Sequence, residues 1–254
     1  MLYKKYILLL FVALISVLLV YSIFYKTQNT HSCKGYENPI ITFIVPTVGR
    51  DTLHDTLMSI LLQKEKNWKA IVVFDGCYPE KNILELLDSD KRMSWIRIEK
   101  TGTGINSAGN VRNQGIKKVT TEWVGFVDDD DILSPLYVYR LKTEIEKNKN
   151  VDCVLFRMIY KNKDWGDDYL ILPSPGQTTI EEKKVGISFC YKTIDYMFEP
   201  SPIEDYLLLN RFVNDKKKIL ISKYIVYSVN GDTFSEESDK IIEYEKQCVS
   251  HVIN

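Results

Sequence analysis

An α/β fold, in which helices flank a mostly parallel sheet and one transmembrane helix precedes it, is the architecture predicted for this 254-residue chain. Three observations predict it. From residue 39 onward, short apolar runs of the buried-strand kind alternate with helical patterns, as strands of a helix-covered parallel sheet do. The helical patterns carry apolar residues as a stripe on one face. Near the N-terminus, a single uncharged stretch is long enough to cross a bilayer.

That stretch, "YILLLFVALISVLLVYSIFY" between Lys5 and Lys26, is twenty residues long. At about 1.5 Å per residue it matches a hydrocarbon core of roughly 30 Å. A cleaved signal peptide has a shorter apolar core and a small-residue cleavage site, whereas this run closes with Tyr21, Phe24 and Tyr25. Residues 1–26 therefore read as a membrane anchor. Lys4 and Lys5 before it, against Lys26 and Lys34 after it, lean toward a cytoplasmic N-terminus and a type II orientation. Residues 27–38, "TQNTHSCKGYEN", are polar and aperiodic, as in a stem, and the folded domain is expected over 39–254.

Within the domain, "IITFIV" (40–45) predicts the first strand. A helix from about Asp51 follows, with Leu53, Leu57, Ile60 and Leu61 on one face. "KAIVVF" (69–74), a helix around 80–89 and "SWIRIE" (94–99) continue the alternation. A helix from Ser107 places Ala108, Val111, Gly115, Ile116 and Val119 in a stripe, and "WVGFV" (123–127) is the fourth strand. Ser134 and Pro135 look like the N-cap and first residue of a helix running to about Lys147. Beyond it come the strand-like "VDCVLFRMIY" (151–160), the loop "LPSPGQ" (172–177) and a helical pattern in "PIEDYLLLNRF" (202–212).

Composition narrows the function. With 45% hydrophobic and 26% charged residues the chain can bury a sizeable core. Thirty-three Lys and Arg against thirty-four Asp and Glu leave a net charge of -1, so no overall basic field exists to hold nucleic acid. Cys33, Cys77, Cys153, Cys190 and Cys248 are scattered, without the paired spacing of a zinc site or a disulfide framework.

In an open α/β sheet, ligands gather at the carboxyl ends of the strands. Three of those ends are suggestive: "PTVGR" after the first strand, Asp75-Gly76 after the second, and four aspartates, Asp128 to Asp131, after the fourth. Gly49 and Gly76 suit positive φ, and Arg50 is within reach of a phosphate. Four adjacent carboxylates repel one another and need something to offset them. Strand alternation would turn Asp128 and Asp130 toward one ligand, with Asp129 and Asp131 pointing elsewhere. Hard oxygens grouped in this way suit Mg²⁺ or Mn²⁺ completed by substrate phosphates. The alternative is an acidic cap on the helix from Pro135, for which two aspartates would suffice.

Taken in order, "ITFIVPTVGRDTLHDTLMSILLQ", "AIVVFDG", "SAGNVRNQGI" and "WVGFVDDDDILSP" resemble the family 2 glycosyltransferases of the GT-A, Rossmann-like fold. The likeness is clearest over 40–139 and fainter to about 229. It implies a nucleotide-sugar half (39–135) and an acceptor half (136–230). It also implies a donor, usually a UDP-sugar, held by its diphosphate through Mn²⁺ or Mg²⁺, and inverting transfer to a hydroxyl of a glycan, lipid or protein acceptor. On that resemblance Asp128 and Asp130 are the metal-binding pair. Pro46, Thr47, Arg50 and Asp75 line the nucleoside pocket, and Arg112, Asp128 and Asp129 approach the donor. The family commonly has two acids before the glycine of the second motif; here Phe74 takes the first position, which weakens the assignment of nucleoside contact to Asp75. The base often sits in an "ED" pair at a helix start in the acceptor half, which implies Asp205 as base with Glu204 in support. His31, His54 and His251 are badly placed for a third metal ligand, so diphosphate and water would complete the shell.

Two other readings compete with this one. A nucleotidyltransferase would want a longer Gly-rich basic loop than "PTVGRDT". A non-catalytic, membrane-anchored carbohydrate-binding or scaffold protein would have no need to keep Asp128, Asp130 and Asp205 together.

Overall fold

Strand β1 (Ile41–Thr47) is buried along its whole length, because both of its neighbours in the sheet are strands and helices cover its faces. The computed structural model describes residues 38–101, 108–161, 169–193, 195–230 and 239–253. In it, β1 is followed by α1 (Leu53–Leu61), β2 (Trp68–Asp75), α2 (Lys81–Asp88), β3 (Met93–Ile98), α3 (Ala108–Ile116) and β4 (Trp123–Phe126). The second half holds β5 (Ile132–Leu133), α4 (Tyr137–Lys147), β6 (Cys153–Lys161), β7 (Tyr169–Leu172), β8 (Phe189–Lys192), α5 (Glu204–Asn214), β9 (Ile219–Val229), α6 (Asp239–Gln247) and β10 (His251–Ile253). Pro39–Asn254 forms one compact unit.

The sheet runs β10-β9-β6-β8-β4-β1-β2-β3, with β5 added to β9 and β7 to β6. Along that path β3, β2, β1, β4, β6 and β9 point one way, and only β8 and β10 are reversed. The mostly parallel sheet expected from the alternation is therefore present. Pro46 is tolerated inside β1 because the last β4 pair is Ile44↔Phe126. Its missing N–H faces the side on which β4 has already ended.

The expected stripes are core faces. Leu53, Leu57 and Ile60 of α1 are buried, as are Val111, Gly115 and Ile116 of α3, while Leu61, Ala108 and Val119 are half-buried. Gly115 lets α3 lie close on the sheet: a Cβ there would sit 2.6 Å from Ile44 Cγ2. Under the second half of the sheet, Phe126 meets Phe198 edge-on at 5.0 Å between ring centroids, and Phe212 of α5 packs against Tyr191 and Tyr196 at 5.3 and 4.3 Å. Such pairs contribute about 0.5–1.5 kcal/mol each beyond their burial. They seat α5 against the sheet and so aim its first turn.

One boundary differs from expectation. The helix after the aspartates begins at Tyr137, not Pro135, and Leu136 is its N-cap without a side-chain bond. Ile132 and Leu133 pair with Ser228 and Tyr227 of β9, and the Ser134 N–H continues that ladder to Val226 O at 2.9 Å. Drawn into a strand, Ser134 caps only the turn that follows, accepting the Leu136 N–H at 3.2 Å. No described helix is long and apolar enough to cross a membrane. The expected anchor over 1–26, almost all of the stem and the start of α3 at Ser107 lie outside the described residues.

Candidate active site

Three strand ends and one helix start build the site. At the end of β1, Thr47 accepts the Gly49 N–H at 2.9 Å and donates to Asp129 Oδ2 at 2.7 Å. Gly49 has φ +87°, a conformation that turns the chain sharply enough to bring Arg50 back over the sheet edge. At the end of β2, buried Asp75 accepts the Thr101 N–H at 2.7 Å and the Thr101 hydroxyl at 3.1 Å, with Lys100 Nζ 3.6 Å away.

At the third strand end, the aspartates do not follow strand alternation. β4 stops at Phe126, and a turn closed by the Asp131 N–H to Asp128 O at 3.1 Å takes over. The strand alternation expected to divide the four is therefore absent, and the turn sets each carboxylate's partner instead. Asp128 receives Arg112 Nη2 at 2.5 Å. Asp129 and Asp130 share Arg50 Nη1 at 2.8 and 2.9 Å. Asp131 is buried and accepts the Tyr227 hydroxyl at 2.7 Å and the Asn230 N–H at 2.9 Å. Burial, with Asp128 nearby, pushes the Asp131 carboxyl up to about 7 against those bonds.

A cavity of about 160 Å³ opens between these strand ends, lined by Pro46, Thr47, Arg50, Asp75, Asp128 and Asp129 among others. Asp130 faces a neighbouring cavity with Arg50 and Asn230. Arg112, expected at the donor, lies behind Asp128, buried, and also pairs with Glu204 Oε1. Burial alone would favour its neutral form, but Asp128, Asp205 and Glu204 outweigh that and hold it as a guanidinium.

Glu204 and Asp205 form the first turn of α5. Glu204 accepts the Gly109 N–H at the start of α3 at 3.0 Å, and so ties the two helix starts together through Arg112. Burial raises its pKa, while Arg112 and the Gly109 bond work against that. Asp205 is different. Its Oδ1 is buried, 4.0 Å from Arg112 Nη1 and without a hydrogen-bond partner among the described residues, while the side chain as a whole keeps 27% exposure. Burial pushes it up to about 7, Arg112 opposes, and Asp128 and Glu204 add to the rise. The result is a carboxylate with proton affinity near neutrality and a free lone pair.

Among the described residues no group of three or more His, Cys, Asp or Glu is arranged to hold a metal. Of the histidines, His54 bonds Asp55 on α1 and His251 lies on β10, while His31 is outside the described residues. Tyr227 and Asn230 were not anticipated, since a tyrosine in the apolar run "ILISKYIVYSV" carries no motif.

Residues 42–207 match the model for "Glycosyl transferase family 2". The chain belongs to this family. The family 2 match takes in every expected site residue from Thr42 on and ends before Tyr227 and Asn230. Among relatives, the Bacillus subtilis glycosyltransferase EpsJ is 34% identical over 113 residues, 44% of this chain and 32% of that protein. A Rickettsia typhi glycosyltransferase is 27% identical over 157 residues, 61% of this chain and 45% of that protein. The chain thus spans less than half the length of these curated relatives. Among solved structures, S. aureus TarS 1-349 in complex with UDP-GlcNAc superposes with a TM-score of 0.58 at 17% identity, covering 79% of this chain and 61% of that one. The Pyrobaculum calidifontis mannosyltransferase PcManGT with GDP-Man and Mn²⁺ gives 0.51 at 11% identity, over 83% and 61%. At such identities the likeness shows the fold alone, a GT-A-like α/β sheet.

Proposed function

We propose that this family 2 member is a metal-dependent, inverting glycosyltransferase that moves a sugar from a nucleotide-sugar donor, a UDP-sugar, to a hydroxyl of a glycan, lipid or protein acceptor. The observation that carries the reading is the Asp205 carboxylate, whose buried Oδ1 has no hydrogen-bond partner among the described residues and lies beside Arg112, which also grips Asp128 at the rim of the cavity. In this reading Asp205 takes the proton from the acceptor hydroxyl as it attacks the anomeric carbon, and Glu204 holds Arg112 in place. Thr47, Asp75 and Asp129 orient the nucleoside and sugar, and Arg50 meets the diphosphate.

Asp128 and Asp130 suit Mn²⁺ or Mg²⁺, which bind one or two carboxylates and take further oxygens from phosphates and water. Bound there, the metal would neutralise charge on the departing diphosphate. We also propose that residues 1–26 anchor the chain in a membrane with its N-terminus cytoplasmic.

The test is a panel of nucleotide sugars with Mn²⁺, comparing the native chain with Asp128→Ala and Asp130→Ala. Donor hydrolysis and transfer should be lost in both variants; normal metal-dependent activity in both would sink the metal assignment.

A further inference from the structure

Both proposed metal ligands are already paired with arginines, but the two arginines differ. Arg112 is buried and clamped between Asp128 and Glu204. Arg50 follows the positive-φ Gly49, leaves half its side chain exposed and borders three adjoining cavities. Through one nitrogen it bridges buried Asp129 and half-exposed Asp130. Asp130 is thus wanted by two cations, the guanidinium and the metal, while the same guanidinium nitrogen also pairs with Asp129 in its buried turn.

We propose that Arg50 is an internal counter-cation: it occupies the aspartate turn before the metal and moves to the donor's diphosphate when that arrives, so that metal and nucleotide enter together. The inference rests on the reading of Asp128 and Asp130 as metal ligands. The exchange is physically cheap in both directions. A half-exposed ion pair is worth little, so leaving Asp130 costs little; buried Asp129 keeps the Thr47 hydroxyl at 2.7 Å while the arriving metal replaces the positive charge in the turn. A guanidinium matches phosphate oxygens through paired hydrogen bonds, so the diphosphate in the adjoining cavity offers Arg50 a better partner than the one it leaves. Metal arriving alone meets a turn whose charge Arg50 has already partly offset. Metal arriving with a diphosphate meets carboxylates that Arg50 has vacated.

Electron paramagnetic resonance of free Mn²⁺, titrated with the full chain with and without UDP, tests this without any turnover; Mn²⁺ complexed by UDP in solution is subtracted. The native protein should bind Mn²⁺ alone weakly and gain about tenfold with UDP, within the usual range of coupling between sites. Arg50→Gln should bind Mn²⁺ alone about tenfold more tightly than the native protein and gain little from UDP. Arg50→Lys, which keeps the charge, should stay near the native value. Adding Asp130→Ala to Arg50→Gln should erase the gain, placing it at that carboxylate. If Arg50→Gln takes up Mn²⁺ no more tightly than the native protein while UDP still recruits Mn²⁺ to both, the counter-cation is overturned and the metal site stands. If neither protein takes up Mn²⁺ even with UDP, the metal site itself is overturned.

Discussion

Burial, with its Oδ1 shielded from solvent, pushes the Asp205 carboxyl up to about 7, above the range of most carboxylates. Replacing it by Asn keeps the shape and removes the basicity. Asp205→Asn should retain donor binding by calorimetry while turnover falls about 10²–10⁴-fold, the usual contribution of a positioned base. Because the base works only when deprotonated, kcat/KM should rise with pH and level off above about 7. The same shift has a sign for stability. The unfolded chain releases this proton near pH 4 and the folded chain near 7, so between those values the folded state binds more protons. The stabilisation from this group is full below about pH 4 and is lost as pH rises through about 7. Thermal melts without metal or nucleotide should show the native protein losing stability relative to Asp205→Asn across that window. A flat difference would mean that Asp205 titrates normally.

Helix α3 carries two glycines with different duties, Gly109 at its start beside Glu204 and Gly115 near its end on the sheet. A Cβ on Gly109 would fall against Glu204 Oε2 and 2.8 Å from Phe198 Cβ, so Gly109→Ala should displace Glu204 and loosen its grip on Arg112. A Cβ on Gly115 would meet Ile44 and Val73 in the core. Both substitutions overpack and should cost about 1–3 kcal/mol in urea denaturation. Only Gly109→Ala should also lower kcat by more than the stability loss accounts for. Equal activity in the two stable fractions would remove Gly109 from the site. Helix α4 teaches a related point. Ser134 and Pro135 have the chemistry of a helix start, but β9 recruits Ile132 to Ser134 into its ladder first, and the helix begins where the ladder lets go.

Taken together, the sheet divides labour. Its parallel half, β3-β2-β1-β4, brings three loop ends to one edge, and the reversed β8 joins it to a second half whose β9 supplies the far wall. Phe126 stands at the seam, in contact with Phe189, Tyr191 and Phe198. Phe126→Ala should cost about 3–5 kcal/mol, read from the urea midpoint. It should weaken acceptor-side function more than nucleotide binding, because the rings beneath α5 lose their common partner. A loss below 1 kcal/mol would show that the two halves do not share this core.

Much of this was legible in the residues as they stand in line. Unbroken apolar runs marked β1, β2 and β4, the spacings of Leu53, Leu57 and Ile60 and of Val111 and Ile116 marked the faces of α1 and α3, and the aspartate run, "PTVGR" and "ED" marked the residues of the candidate site. These signals are written between near neighbours, where backbone periodicity and charge density act directly. Partner choice was not legible. Arg112 meets Glu204 across 92 positions and Tyr227 meets Asp131 across 96. Arg50 takes Asp129 and Asp130 because β1 and β4 end side by side. Residue types and their periods depend on local sterics and burial, so the chain alone determines which acids and bases are available. Which of them meet depends on the sheet order and on where each strand stops, and those are settled only when the core packs.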